Sequence, residues 1–207
     1  NVRVSERGRR TADERRLLET LRPGVVATAL RARAHRLRSE TRAGLETGFP
    51  TTGEIRSVVI LAAFSDVGFT VPDPQRAFER MLNEEGYSDN GALGSARDYY
   101  LDNSGGRFRP TFDVVGPVTL DHPVAYYGAN TDYRDENAER MIIEACHKAE
   151  RAGVDFSQYD FDNDGKIDNV FVYYAGHNES DGGGMNTVWP HRGEISYPGA
   201  LLCGTGL

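Results

Sequence analysis

The sequence predicts an α/β fold, with α+β left open. Three observations carry that expectation: a continuous β-branched and apolar run around residue 60, a second such run around residue 172, and stretches of helical period before, between and after them. Strands and helices are interspersed along the chain, which is the order of a sheet covered by helices.

The first run, Ser57-Val-Val-Ile-Leu-Ala-Ala-Phe64, has no polar alternation and reads as a strand buried on both faces. It follows the turn-rich Phe49-Pro50-Thr51-Thr52-Gly53, which divides the chain into a segment 1–48 and a domain 49–207. Phe78, Met81 and Leu82 at helical spacing predict a helix over 72–85, and Ser95 stands as the cap of a shorter one over 95–101. Phe108, Pro110, Phe112 and Val114 alternate as in an extended segment that runs towards Leu120, with Gly116-Pro117 breaking it. A longer helix is predicted over 135–152. Ala138, Met141, Ile142, Ala145 and Ala149 form its apolar face, and Glu136, Glu139, Arg140, Glu144, Lys148 and Glu150 its wet one. Val170 to Ala175 is the last clear strand, entered from an acidic loop and left through Gly176 and the glycine-rich 181–184.

With 39% apolar and 10% aromatic residues in a chain of 207, one good core and a peripheral segment can be built. The longest apolar run, Val58 to Phe64, is far short of the roughly 20 residues that span a bilayer, so no membrane span is expected. The chain opens on Asn1 and carries no signal-peptide pattern, which predicts that a leader was removed or lies outside the sequence. Cys146 and Cys203 allow one disulfide at most and exclude a four-cysteine zinc site; Cys146 reads as a small buried residue on a helix.

Charge is unevenly spread: residues 1–47 carry +6, from 12 arginines and no lysine, and the remainder carries −13. Leu17, Leu18, Leu21, Val25 and Val26, then Ala29, Leu30, Ala34 and Leu37, predict two short helices separated by Pro23-Gly24. The arm lacks interleaved aromatics and holds six acids, which speaks against nucleic acid as its partner. A positive segment placed against the acidic remainder of its own chain, as in a pro-segment, is the more economical expectation.

Asp160-Phe-Asp162-Asn-Asp164-Gly165-Lys166-Ile167-Asp168 is the strongest local signal. Carboxylates two apart on a tight glycine turn converge on one hard cation. The predicted calcium ligands are Asp160, Asp162, Asp164 and Asp168, with the Lys166 carbonyl able to add another. Phe171 stands where an EF-hand has its bidentate glutamate, and a strand follows where an EF-hand has its second helix, so a structural calcium site is expected and not a sensor. Asp155 and Asp66 read equally as outside ligands or as capping residues.

The histidine-metal and serine-nucleophile constellations are missing, and paired-carboxylate hydrolysis stays open only through an acidic cluster that calcium explains better. His35, His122, His147, His177 and His191 include no pair four apart, so neither His-Glu-x-x-His nor its inverted form occurs, and there is no Gly-x-Ser-x-Gly elbow.

The order of motifs resembles the immune inhibitor A-like zinc metallopeptidases. The resemblance runs through Phe64-Ser65-Asp66, Gly94 to Tyr100, Ser104 to Phe108, Val115 to Leu120, Tyr126-Tyr127-Gly128, Glu144-Ala145, Val154 to Asp160 with its loop, Tyr174-Ala175-Gly176 and Trp189-Pro190-His191. It implies a zincin-like amino-terminal subdomain of a secreted bacterial zymogen, acting on protein or peptide substrates. Zinc would be held by a His-Glu-x-x-His helix expected beyond Leu207. On that resemblance Trp189 and His191 become possible cleft residues, beside the alternatives of a core tryptophan and a structural histidine. The rival expectation is a non-enzymatic calcium-binding structural or interaction module.

Overall fold

The computed structural model describes residues 50–131, 134–163, 165–193 and 195, with two short strands nearer the carboxyl end. The chain divides into two compact units, Asn1–Gly48 and Phe49–Leu207. All described residues belong to the second, so the two helices expected over 17–37 lie outside them.

The described elements are β1 (Gly53–Ala63), α1 (Pro74–Asn83), α2 (Ala96–Ser104), β2 (Phe108–Thr119), α3 (Val124–Gly128), β3 (Asn130–Thr131), β4 (Arg134–Asp135), α4 (Ala138–Arg151), β5 (Val170–Tyr174), β6 (Leu201–Leu202) and β7 (Thr205–Gly206). The main sheet is parallel, in the order β2-β1-β5. The α/β expectation is met.

The unbroken apolar run of β1 follows from its central place. Val58, Ile60, Ala62 and Phe64 pack on one side with Met141, Ala145, Cys146 and Ala149 of α4. Val59 and Leu61 pack on the other with Leu82 of α1 and Phe112 of β2. Val58 through Leu61 are fully buried, each contributing about 1.5–3 kcal/mol relative to an exposed side chain.

Caps set the helix starts. Asp73 Oδ1 accepts the Arg76 N–H and Pro74 opens α1, where its missing N–H costs nothing. Ser95 and Asp98 form a reciprocal capping box on α2, which confirms Ser95 as a cap.

Two sequence expectations are corrected. Gly116-Pro117 does not break the extended segment: β2 runs through it, with the register against β1 slipping between Ile60 and Ala62. Gly116 has φ +103°, and a Cβ there would lie 2.8 Å from the Leu61 carbonyl oxygen, so glycine permits the bulge and proline sits where no ladder N–H is required. The long helix begins at Ala138 and not at Asp135, which pairs instead with Asn130 in a short antiparallel ribbon.

Candidate functional site

The parallel sheet has two ends, and the candidate residues divide between them. At the amino end of β5 lies the acidic loop. Its approach is fixed by a short 3-10 turn, Phe156–Tyr159, whose Phe156 and Tyr159 are buried. Asp155 Oδ1 caps the turn, accepting the Ser157 N–H at 3.1 Å and the Ser157 hydroxyl at 2.6 Å. The Tyr159 hydroxyl donates to Asp113 Oδ2 at 3.1 Å, and Arg56 pairs with the same oxygen at 3.0 Å. Burial, with the Asp113 charge adding to it, pushes the Tyr159 phenol up to about 12.

Within the loop, Gly165 N–H donates to Asp160 Oδ2 at 3.0 Å and Phe161 N–H to Asp168 Oδ2 at 2.7 Å. Asn163 takes φ +57° in the turn between them. Asp160, Asp162 and Asp168 each bring a carboxylate oxygen within 4.8 Å of the other two. Two oxygens bound to one calcium at about 2.3–2.6 Å can stand up to about 5 Å apart, so the three fit around a single ion. Of the other predicted ligands, Lys166 is exposed on the same loop, and Asp164 lies outside the described residues. Asp66 is not part of this cluster; its Oδ1 accepts the Val124 N–H at 2.9 Å and caps α3.

At the carboxyl end, the chain after each strand is tied to β1: Leu120 N–H bonds to the Ala63 carbonyl at 2.7 Å, and Ala175 N–H to the Ala62 carbonyl at 2.9 Å. Here Glu144, assigned from sequence to the wet face of α4, is half-buried and accepts the Tyr127 hydroxyl at 2.6 Å and the Asp121 N–H at 2.6 Å. Tyr127 is fully buried, and desolvation with the Glu144 hydrogen bond raises its phenol well above the ordinary range. Asn130 Nδ2 donates to both Glu179 oxygens. The Tyr174 hydroxyl donates to the Val188 carbonyl at 2.8 Å, and Trp189 N–H to Asp135 Oδ2 at 2.8 Å. Trp189 is half exposed, not a core residue, and His191 is exposed with Nδ1 donating to the Trp189 carbonyl at 2.9 Å.

Asp135 was invisible as a site residue in the sequence, where an acid just before a helix reads as an N-terminal helper. Cys146 is a free, fully buried thiol that burial pushes up to about 12, as expected of a packing residue; Cys203 lies outside the described residues.

Among the described residues, the only group of three or more histidine, cysteine or carboxylate side chains close enough to share an ion is the all-oxygen Asp160, Asp162, Asp168. Zinc prefers nitrogen and sulfur ligands or a mixed histidine-carboxylate set, so this cluster does not fit it, and the described histidines build no alternative.

These features sit in a chain that belongs to the immune inhibitor A peptidase M6 family: the profile of that family's catalytic domain matches residues 73–206. Proteolysis by metallopeptidases is the activity of this class. Among individual relatives, Pre-pro-metalloprotease PrtV of Vibrio cholerae serotype O1 is 26% identical over 141 residues, covering 58% of this chain and 15% of the Vibrio protein. Immune inhibitor A of Bacillus thuringiensis subsp. alesti is 27% identical over 152 residues, covering 62% of this chain and 22% of that protein. The chain thus spans less than a quarter of the length of these curated relatives.

Proposed function

We propose that this chain is the calcium-stabilised front part of the catalytic domain of a secreted zinc endopeptidase. The family match over 73–206 is the observation that carries the proteolytic reading. No His-Glu-x-x-His occurs among these 207 residues, so zinc, which would polarise the scissile carbonyl and activate water, is supplied with its ligands and general base from elsewhere in the protein. This chain contributes the sheet, the loop that closes on calcium through Asp160, Asp162 and Asp168, and part of the substrate cleft around Trp189 and His191.

Residues 1–48 are a basic pro-segment or a linker. Their opposite charge to the rest of the chain supports that role, as does the "pre-pro" in the name of the Vibrio relative. Extracellular location follows from the same family reading and suits a calcium-dependent fold.

The test is hydrolysis of an unfolded protein by the whole parent protein and by this chain. The parent should cleave, lose activity to a zinc chelator and recover it on zinc addition, while the 207-residue chain stays inert. A parent that cleaves nothing with zinc present would turn the reading to a calcium-bound interaction module.

A further inference from the structure

Trp189 is held in an unusual way for the largest side chain in the protein. Just before it, Val188 is fully buried, and its carbonyl accepts both the Tyr174 hydroxyl at 2.8 Å and the Glu179 N–H at 3.2 Å. The Thr187-Val188 peptide lies directly against Gly128, where any Cβ would collide with it. Trp189 itself gives its N–H to Asp135, yet leaves its side chain 52% exposed.

The carboxylate that grips it is only 9% exposed, and its second oxygen, Oδ1, is buried with no hydrogen-bond partner among the described residues. Burial raises the Asp135 pKa; the Trp189 N–H and His191 act against that rise, and Glu179 adds to it. A buried carboxylate oxygen left without a partner is costly. Here the backbone is clamped and the ring is displayed. The place is the loop leaving the carboxyl end of β5, and in open parallel sheets ligands are bound outside the carboxyl ends of the strands. A displayed tryptophan on a clamped backbone supplies a large apolar contact area to a binding partner.

We propose that Trp189 is the aromatic wall that receives an apolar or aromatic side chain of a peptide substrate, and that Asp135 is the residue that positions it. The substrate class rests on the peptidase reading; the clamp does not.

Trp189 is the only tryptophan, so its fluorescence reports this wall directly in the 207-residue chain. The probes are two blocked pentapeptides, Gly-Gly-Phe-Gly-Gly and Gly-Gly-Ala-Gly-Gly, at millimolar concentration, with acrylamide quenching as the readout. The phenylalanine peptide should lower the quenching constant at least twofold, and the alanine peptide should leave it unchanged. Asp135→Leu, close in shape but without an acceptor, should abolish the protection. Asp135→Asn, which keeps an acceptor for the Trp189 N–H, should retain it. Equal effects of the two peptides, no effect of either, or full protection in a folded Asp135→Leu chain would overturn the proposal. Absence of hydrolysis by the parent, with protection intact here, would remove the peptidase reading and leave the wall.

Discussion

Asp162→Ala separates calcium binding from the integrity of the loop. Asp160 and Asp168 brace the turn through the Gly165 and Phe161 amides, and Asp162 is the most exposed of the three clustered carboxylates. Melts of Asp162→Ala without calcium therefore set the baseline against which its calcium response is read. Asp168→Ala should cost about 1.5 kcal/mol or more even then, because it removes a charge-assisted hydrogen bond. With free calcium at about 100 times the Kd, linkage adds about 2.7 kcal/mol to the native protein. At about 2–4 °C per kcal/mol for a domain of about 150–250 residues, Tm should rise by about 5–11 °C. Magnesium should raise it less, since it holds its waters and demands stricter octahedral geometry. The assay is thermal unfolding followed by circular dichroism with chelator, calcium or magnesium. A native Tm indifferent to calcium, or a full calcium shift surviving in Asp162→Ala, would refute the site.

Tyr127→Phe leaves Glu144 Oε2 and the His122 N–H without the hydroxyl they share, and should cost about 1–3 kcal/mol in urea unfolding. Asp98 and Asp135 should bend the acid limb of the stability curve in opposite directions. The Ser95 backbone N–H, joined by the Gly86 N–H, lowers the Asp98 pKa below 3.8. Its contribution is present above that value and is lost as pH falls through the folded value. Burial raises Asp135, whose contribution is present below 3.8 and is lost as pH rises through its folded value. In melts across acid to neutral pH, Asp98→Asn should therefore fall below the native protein only above the Asp98 transition. The advantage of Asp135→Asn should grow as pH rises.

The parts of the fold legible in sequence were those whose signals are local. The apolar run of β1, the Ser95 cap and the three-and-four spacing of α4 each state their environment within a few residues, and the structure places all three as read. The acidic loop was legible for the same reason: its carboxylates converge through a turn of nine residues, with no distant partner needed to bring Asp160, Asp162 and Asp168 together. Gly116-Pro117 misled because a glycine and proline pair signals interruption whenever neighbours are unknown. Only the β1 carbonyl pressed against Gly116 shows that the strand continues through a bulge. Glu144 misled in the opposite way, since its i and i+4 surroundings are polar and its buried partner Tyr127 lies on another element.

Asp135 marks where local reasoning stops. Its partner, the Trp189 amide, is 54 residues away in sequence, and nothing in the residues around either one announces the pairing. The two acid-bearing regions are nevertheless joined by one element. β5 has five residues, a span of about 16 Å, with the acidic loop at its amino end and the loop bearing Trp189 at its carboxyl end. Its neighbour β1 is buried on both faces and takes every backbone pairing of β5 from Val58 to Ala62. A cation bound in the acidic loop would, by fixing where β5 begins, also limit where it ends, and with it the Val188 carbonyl that Tyr174 grips. The proposed calcium support and the proposed aromatic wall thus lie at opposite ends of one strand, so substitutions in the acidic loop would change cation affinity without adding charge beside the tryptophan.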